Sequence, residues 1–366
     1  MSKKTDKYYI NKCLKLAKKG RGYVTPNPLV GAVIVENDKI ISTGFHHKIG
    51  ENHAERDAIS KLPEDFDFSN STIYINLEPC THFGKTPPCC DLLIGKKFKK
   101  VVFAMQDPNP KVAGNSIDKF KENNIEVAFG ILEKKAKFSN RFFIKHIQSK
   151  KPYIIVKVAQ TINGKIASFS NESKWISCEK SRKDVHKLRS KVDAVLVGTG
   201  TIRNDAPKLD VRLVKGRNPL RILLLSDLNI DRALLFNEEN KGKTIIVFAK
   251  NKYSSEQKSN ISSEVRVIEV SEENGKLNLE ELFEILGNEG INSILVEAGA
   301  GLSSYLLDNN LIDELILYQS AKILGKGKAL FDSLEIENPN QIKPFTLHKS
   351  KKIGDDLKLV YLRNHL

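Results

Sequence analysis

The feature that most constrains this chain is a repeated alternation of short apolar runs, rich in Val, Ile and Leu, with longer stretches of helical spacing. A strand buried on both faces reads as a continuous apolar run, and its parallel neighbour needs a helix-length crossover. The alternation therefore specifies layered α/β domains with parallel strand pairs. The first strand-like runs are LVGAVIV (29–35), KIISTGF (39–45), TIYINL (72–77), KKVVFAM (99–105) and EVAFG (126–130). Glu36-Asn37-Asp38, between the first two, reads as a hairpin. Helix-like stretches run from His53 to Lys61, from Pro88 to Lys97, over 116–124 and, after the EVAFG strand, to about His146. Pro88 suits a helix start.

The basic, proline-bearing segment SKKPY (149–153) is the expected joint. A second series follows, with strands at 153–159, 193–198, 220–226, 243–249, 265–270 and 293–297 and helices at 180–190, 279–287 and 302–310. No internal repeat and no low-complexity linker is visible. A chain of 366 residues fits two domains at about 100–200 residues each. The expected domains are 1–148 and 152–366.

Composition removes several classes. With 40% hydrophobic and 28% charged residues the chain is globular. No stretch approaches the ~18 apolar residues of a membrane span. The opening MSKKTDKYYINKCLKLAKKG lacks the apolar core of a signal peptide, so a cytoplasmic protein with no membrane partner is expected. Five cysteines, an odd number, point to free thiols or metal ligands and not to a disulfide scaffold. The net charge of +15 comes mostly from scattered lysines. It fits a solvated surface, an anionic small substrate or a nucleic acid, and bidentate reading of bases favours Arg.

The strongest chemical signal is His53-Ala54-Glu55, followed by Glu78-Pro79-Cys80 and Pro87-Pro88-Cys89-Cys90. A catalytic zinc takes three protein ligands and keeps one position open for water. His53, Cys80 and Cys89 supply that set. Cys80 follows a strand end and Cys89 a helix start, where a thiolate is favoured. Cys89 and Cys90 point about 100° apart on a helix, so only one reaches the metal. Cys89 is expected to bind and Cys90 to pack against the sheet. Cys13 and Cys178 read as small buried apolar side chains. Glu55 points elsewhere than the imidazole and is free to move protons. The chemistry implied is hydrolytic attack of water on an amidine-like ring carbon, with loss of ammonia. Zinc deaminases pair His-x-Glu with a later Pro-Cys-x-x-Cys, whereas here eight residues separate the two cysteines.

That longer spacing, in LEPCTHFGKTPPCC (77–90), together with TPNPLVGAVIV (25–35), GENHAERDAI (50–59) and AMQDPNPKVAG (104–114), resembles the bacterial bifunctional riboflavin-biosynthesis deaminase–reductases. The resemblance covers essentially the whole chain. It implies a cytidine-deaminase-like three-layer domain followed by a dihydrofolate-reductase-like domain. It implies zinc-dependent deamination of 2,5-diamino-6-(5-phosphoribosylamino)pyrimidin-4-one, then NADPH reduction of the ribosyl chain to 5-amino-6-(5-phosphoribitylamino)uracil. One zinc per chain on His53, Cys80 and Cys89 follows, with Glu55 as proton donor and Asn27 lining the pyrimidine pocket.

The second half has no G-x-G-x-x-G opening a helix. Glycine turns do follow strands at Gly198-Thr199-Gly200-Thr201 and Gly299-Ala300-Gly301, where backbone N–H groups can approach a phosphate. The resemblance implies cofactor contacts at Ala159, Trp175, Thr201, Asp205, Ser226 and Gly299. It implies substrate contacts at Ser173, Arg189, Leu209, Arg212 and Glu297. Arg forks suit a ribose phosphate, and surface ion pairing is the plainer role for Arg189 and Arg212. The chain departs from the family pattern at several positions, among them the following. Asn163 stands where Asp is usual, Lys174 where Gln is usual, and Asp210 where Thr is usual in Leu-Thr-Val-Arg. The partner expected is a small phosphorylated pyrimidine and no nucleic acid, and a homo-oligomer is compatible with the reading. The alternatives are a nucleic-acid base deaminase with an accessory domain, a deaminase with an inert second domain, and a zinc-stabilised scaffold. The free carboxylate of Glu55 argues against the last.

Overall fold

In the computed structural model the described residues are 5–83, 87–110, 112–170, 172, 174–227, 230–231, 242–254, 256–258, 265–334, 338–341 and 343–363. The chain divides into two compact units, Met1–Lys150 and Lys151–Leu366. Among the described residues no helix is long and apolar enough to cross a membrane.

The first unit runs α1 (Asp6–Ala17), β1 (Gly31–Glu36), β2 (Lys39–Phe45), α2 (Ala54–Ile59), β3 (Thr72–Ile75), α3 (Cys89–Gly95), β4 (Lys100–Phe103), α4 (Asn115–Glu122), β5 (Glu126–Phe129), α5 (Glu133–Ser139) and α6 (Arg141–Ser149). Its sheet has the order β2-β1-β3-β4-β5, antiparallel through β2-β1-β3 and parallel from β3 to β5. Side chains alternate between faces along each strand. Ala32, Ile34, Ile73, Ile75, Val101 and Phe103 meet α2, α3 and α4 on one face. Val33, Val35, Tyr74 and Val102 meet α1, α5 and α6 on the other. The result is three layers. Two glycines set their spacing. A Cβ on Gly44 would stand 2.2 Å from the Ala54 carbonyl oxygen, and one on Gly31 2.4 Å from that of Cys13. Helix backbone therefore lies directly on the β1–β2 hairpin from both sides. The hairpin turn is Asn37-Asp38, both at positive φ, as a tight two-residue turn requires.

The second unit runs β6 (Tyr153–Gln160), β7 (Lys165–Ser168), α7 (Glu179–Arg189), β8 (Ala194–Gly198), α8 (Thr199–Asp205), β9 (Leu220–Leu224), β10 (Thr244–Ala249), β11 (Arg266–Val270), β12 (Glu272–Glu273), β13 (Lys276–Leu277), α9 (Leu279–Asn288), β14 (Ser293–Val296), α10 (Ala300–Asp308), β15 (Glu314–Gln319), β16 (Gly327–Ala329), β17 (Phe345–Ile353) and β18 (Asp356–Arg363). Its main sheet has the order β11-β10-β9-β8-β14-β6-β15-β18-β17. Pairing is parallel from β11 to β15 and antiparallel through β18 and β17. The central strands carry the core, with α9 and α10 packed on it through Leu279, Leu282, Phe283, Leu286, Leu306 and Leu307.

Four differences from the sequence reading have physical causes. The lysine-rich opening forms α1, which buries Tyr9, Ile10, Cys13, Leu14 and Ala17. The helix expected to run on to His146 is broken at Asn140, whose buried side chain bonds Leu29. The turn at Thr199 is itself the first residue of a helix, α8. Cys178 is half-buried and N-caps α7, so it is not a core residue.

Candidate metal and cofactor sites

His53 is the N-cap of α2 and Cys89 opens α3, whose N-cap is Pro88. Cys80 follows β3 by five residues. These elements bring three donor atoms together, all within 4.8 Å of one another. His53 Nδ1 lies 3.7 Å from Cys80 Sγ and 3.4 Å from Cys89 Sγ. A tetrahedral zinc with Zn–S near 2.3 Å and Zn–N near 2.0–2.1 Å sets sulfur and nitrogen about 3.6 Å apart. The donor set fits zinc in chemistry and in spacing. Cys90, fully buried, packs in the apolar cluster with Leu93 and Phe103.

Electrostatics favour the thiolate at Cys80, whereas hydrogen bonding to Cys80 and then burial push the Cys89 thiol up. Hydrogen bonding with the Cys89 thiol, and then with His53, pulls the Cys80 thiol down to about 4. The Cys89 backbone N–H also donates to Cys80 Sγ at 3.3 Å. Glu55 is 3% exposed, and its Oε2 has no hydrogen-bond partner among the described residues. Burial, and next the charge at Cys80, push its carboxyl up. A buried, unpaired carboxylate oxygen costs about 1–3 kcal/mol and calls for a functional reason.

Asn27 reaches this site through a histidine. Its Nδ2 amide lies 3.1 Å from His46 Nε2, while His46 Nδ1 bonds the Asn52 carbonyl at 3.0 Å. Nδ1 must carry the hydrogen for that second bond, so Nε2 accepts from the Asn27 amide. The His46 and His53 rings meet edge-on at 5.6 Å. The Asn27 loop is held from behind by two buried amides. Asn140 Oδ1 accepts the Leu29 N–H at 2.8 Å, and Asn76 Nδ2 donates to the Leu29 carbonyl at 2.8 Å.

Sequence reasoning missed these amides, and it missed the part played by Glu78. Glu78 is 2% exposed. Its Oε2 accepts the N–H groups of Asp107 and Gly114, both at 3.1 Å. Its Oε1 accepts the Ser116 N–H at 3.2 Å and the Ser116 hydroxyl at 2.7 Å. Asp107, Gly114 and Ser116 are thus gathered on one carboxylate two residues before Cys80. A glutamate beside a buried strand end was the available signal.

In the second unit the expected cofactor residues gather past the carboxyl ends of adjacent parallel strands. Ala159 is the last residue but one of β6, Gly299 follows β14, Thr201 and Asp205 lie on α8 after β8, and Ser226 follows β9. Open parallel sheets bind ligands at this edge. Thr199 Oγ1 joins two of these ends, donating to the Leu224 carbonyl at 2.9 Å and accepting the Ser226 N–H at 2.8 Å. Trp175 is 63% exposed, with the Arg182 guanidinium 4.4 Å from its ring centre. It has no core role.

The expected substrate residues are already paired. Arg189 grips Glu297 with two bonds, Nε to Oε1 at 2.6 Å and Nη2 to Oε2 at 3.1 Å, and Lys157 Nζ joins Glu297 at 2.9 Å. Burial alone would push the Glu297 carboxyl up, but the charges of Arg189 and Lys157 outweigh it and hold the group well below its ordinary value. Leu209 is buried, and Arg212 pairs with Asp210. Ser173 lies outside the described residues. Asn163 bridges a neighbouring segment, its Nδ2 donating to the Leu324 carbonyl at 2.5 Å and its Oδ1 accepting the Leu324 N–H at 3.3 Å.

Comparison with known proteins agrees with this division. The cytidine and deoxycytidylate deaminase zinc-binding region matches residues 3–105, and the RibD C-terminal domain matches 152–359. The riboflavin biosynthesis protein RibD of Actinobacillus pleuropneumoniae is 36% identical over 362 residues, covering 98% of this chain and 95% of the relative. That of Aquifex aeolicus is 35% identical, covering 99% and 100%. Among solved structures, Acinetobacter baumannii RibD superposes with a TM-score of 0.86 at 34% identity, covering 98% of both chains. A Thermotoga maritima diaminohydroxyphosphoribosylaminopyrimidine deaminase/5-amino-6-(5-phosphoribosylamino)uracil reductase gives 0.84 at 35%, again covering 98% of both. With a zinc-type donor set in one unit, the expected cofactor residues gathered at a sheet edge in the other, and relatives matched from end to end, the chain belongs to the RibD family of bifunctional riboflavin-biosynthesis deaminase–reductases.

Proposed function

We propose that residues 1–148 deaminate 2,5-diamino-6-(5-phosphoribosylamino)pyrimidin-4-one and that residues 152–366 reduce the deaminated product. The observation that carries the first step is the convergence of His53, Cys80 and Cys89 beside the unpaired Oε2 of Glu55. His53, Cys80 and Cys89 hold one zinc, which when bound acts as a Lewis acid and lowers the pKa of water. Glu55 Oε2 moves the protons of the attacking water, one to the ring nitrogen and one to the departing amine, so that the water oxygen stays on the ring carbon as the carbonyl while the C–N bond breaks and the amino group leaves as ammonia. Its raised pKa suits both halves of that transfer. Asn27, held by His46, orients the pyrimidine.

In the reductase, Ala159, Trp175, Thr201, Asp205, Ser226 and Gly299 bind NADPH, which supplies the hydride that turns ribosyl into ribityl. Ser173, Arg189, Leu209, Arg212 and Glu297 receive the substrate. Arg212, half-exposed, takes its phosphate, whereas Arg189 acts from within its pair with Glu297. The partner is this small pyrimidine and not a nucleic acid, and the protein works in the cytoplasm. Product analysis of the purified chain tests the reading. The diaminopyrimidine should yield ammonia and the phosphoribosylaminouracil without NADPH, and the ribityl compound with it. Absence of ammonia release, or salt-sensitive deamination of RNA, would contradict it.

A further inference from the structure

The stretch from Leu209 to Arg212 is fixed through its backbone. Leu209 is buried at a φ of 56°. The Asp210 carbonyl accepts Arg189 Nη1 at 3.1 Å, and the Val211 N–H donates to Asn218 Oδ1 at 2.7 Å. The Arg212 N–H donates to His186 Nδ1 at 3.2 Å. Burial, and then the charges of Arg189 and Arg212, push His186 below its ordinary value, which keeps that nitrogen an acceptor. Against this backbone the Asp210 and Arg212 side chains lie at the surface, 25% and 53% exposed, and Arg212 Nη1 donates to Asp210 Oδ1. Arg189, by contrast, is locked on Glu297, each side chain 11% exposed.

We propose that Asp210 is a gate on Arg212, its carboxylate competing with the phosphate ester of the reductase substrate for the guanidinium and so narrowing the preference for the phosphorylated over the dephosphorylated substrate. The inference rests on the reading of Arg212 as the phosphate ligand. A phosphate ester carries more charge than a carboxylate and matches the Arg fork, so it wins the exchange. A neutral hydroxyl in its place does not. Asp210 thus weakens binding of the phosphorylated substrate in proportion to the strength of its own pair. Exposed ion pairs are weak, so the effect is about two- to fivefold. Where the family pattern has Thr, this gate is missing.

Steady-state NADPH oxidation by the full chain tests it, with 5-amino-6-(5-phosphoribosylamino)uracil and its dephosphorylated analogue as substrates. Asp210→Asn keeps the side-chain shape and the backbone bond to Arg189. It should lower the KM for the phosphorylated substrate about two- to fivefold and leave that for the analogue unchanged. In an Arg212→Ala background the same substitution should do nothing. An unchanged or raised KM in Asp210→Asn, or an equal fall for both substrates, would overturn the gate. If Arg212→Ala alone leaves the KM for the phosphorylated substrate unaltered, the phosphate reading fails and the gate fails with it. If Arg212→Ala raises that KM while Asp210→Asn does not lower it, the gate fails alone.

Discussion

The two units keep their charges in opposite ways. In the first, Glu55 is buried with one oxygen unpaired, beside three donors that converge. In the second, Arg189 and Lys157 are closed onto Glu297, and Arg212 onto Asp210. The group proposed to carry a proton is left with one oxygen unsatisfied. On the proposed reading Arg212 rests on Asp210 until the phosphate arrives, whereas Arg189 and Lys157 stay on Glu297. The first arrangement stores instability at the site, and the second stores competition.

The largest effect should come from the donor set. Cys89→Ala should lose zinc, read by atomic absorption, and lose deamination with it. Cys90→Ala should retain one zinc per chain, because its thiol packs in the core. The reverse pattern would break the ligand assignment. Next is the buried triad. Glu297→Gln leaves Arg189 and Lys157 without their carboxylate and should cost about 3–5 kcal/mol at pH 7, measured by urea unfolding. The sign with pH follows from the depressed carboxyl of Glu297. Its contribution is full above the unfolded value of about 4.3 and is lost as the pH falls through the folded one. The stability gap between wild type and Glu297→Gln should therefore narrow below about pH 4. A gap independent of pH would show that the pair carries no such linkage. The smallest effect is at Asn163. Asp in its place would face the Leu324 carbonyl with an acceptor, and should cost about 1 kcal/mol of stability. A stabilising Asn163→Asp would show that the bridge does not matter.

How far all this could be read from the sequence depended on distance along the chain. The strands showed because runs such as TIIVFA are apolar on both faces. His53, Cys80 and Cys89 showed because zinc fixes residue types, and the three lie within 37 residues of sequence. Helix α1 did not, since its apolar stripe of Tyr9, Ile10, Cys13, Leu14 and Ala17 is interleaved with lysines. Strands β15, β17 and β18 were not read at all, and the exposed, lysine-rich β17 has no apolar face to reveal it. The pairing of Arg189 with Glu297 joins residues 108 apart, and Asn140 reaches Leu29 across 111. Nothing local in either segment names its partner. The same holds for Glu78, whose side chain is bonded by Asp107, Gly114 and Ser116, 29 to 38 residues further on.

The central claim is that a proton carrier in the first unit and a hydride site in the second act in order and independently. Glu55→Gln tests it most directly, assayed for ammonia release and for NADPH oxidation on both substrates. The substitution keeps size and hydrogen bonding but removes the proton carrier, and general acid–base loss is worth about 10²–10⁴-fold. Zinc content should stay at one per chain, and deamination should fall by that factor. Given the already deaminated phosphoribosylaminouracil, the variant should oxidise NADPH at close to the wild-type rate. Given the diaminopyrimidine, it should oxidise almost none. Loss of both activities, or wild-type reduction of the undeaminated compound at full rate, would contradict the account.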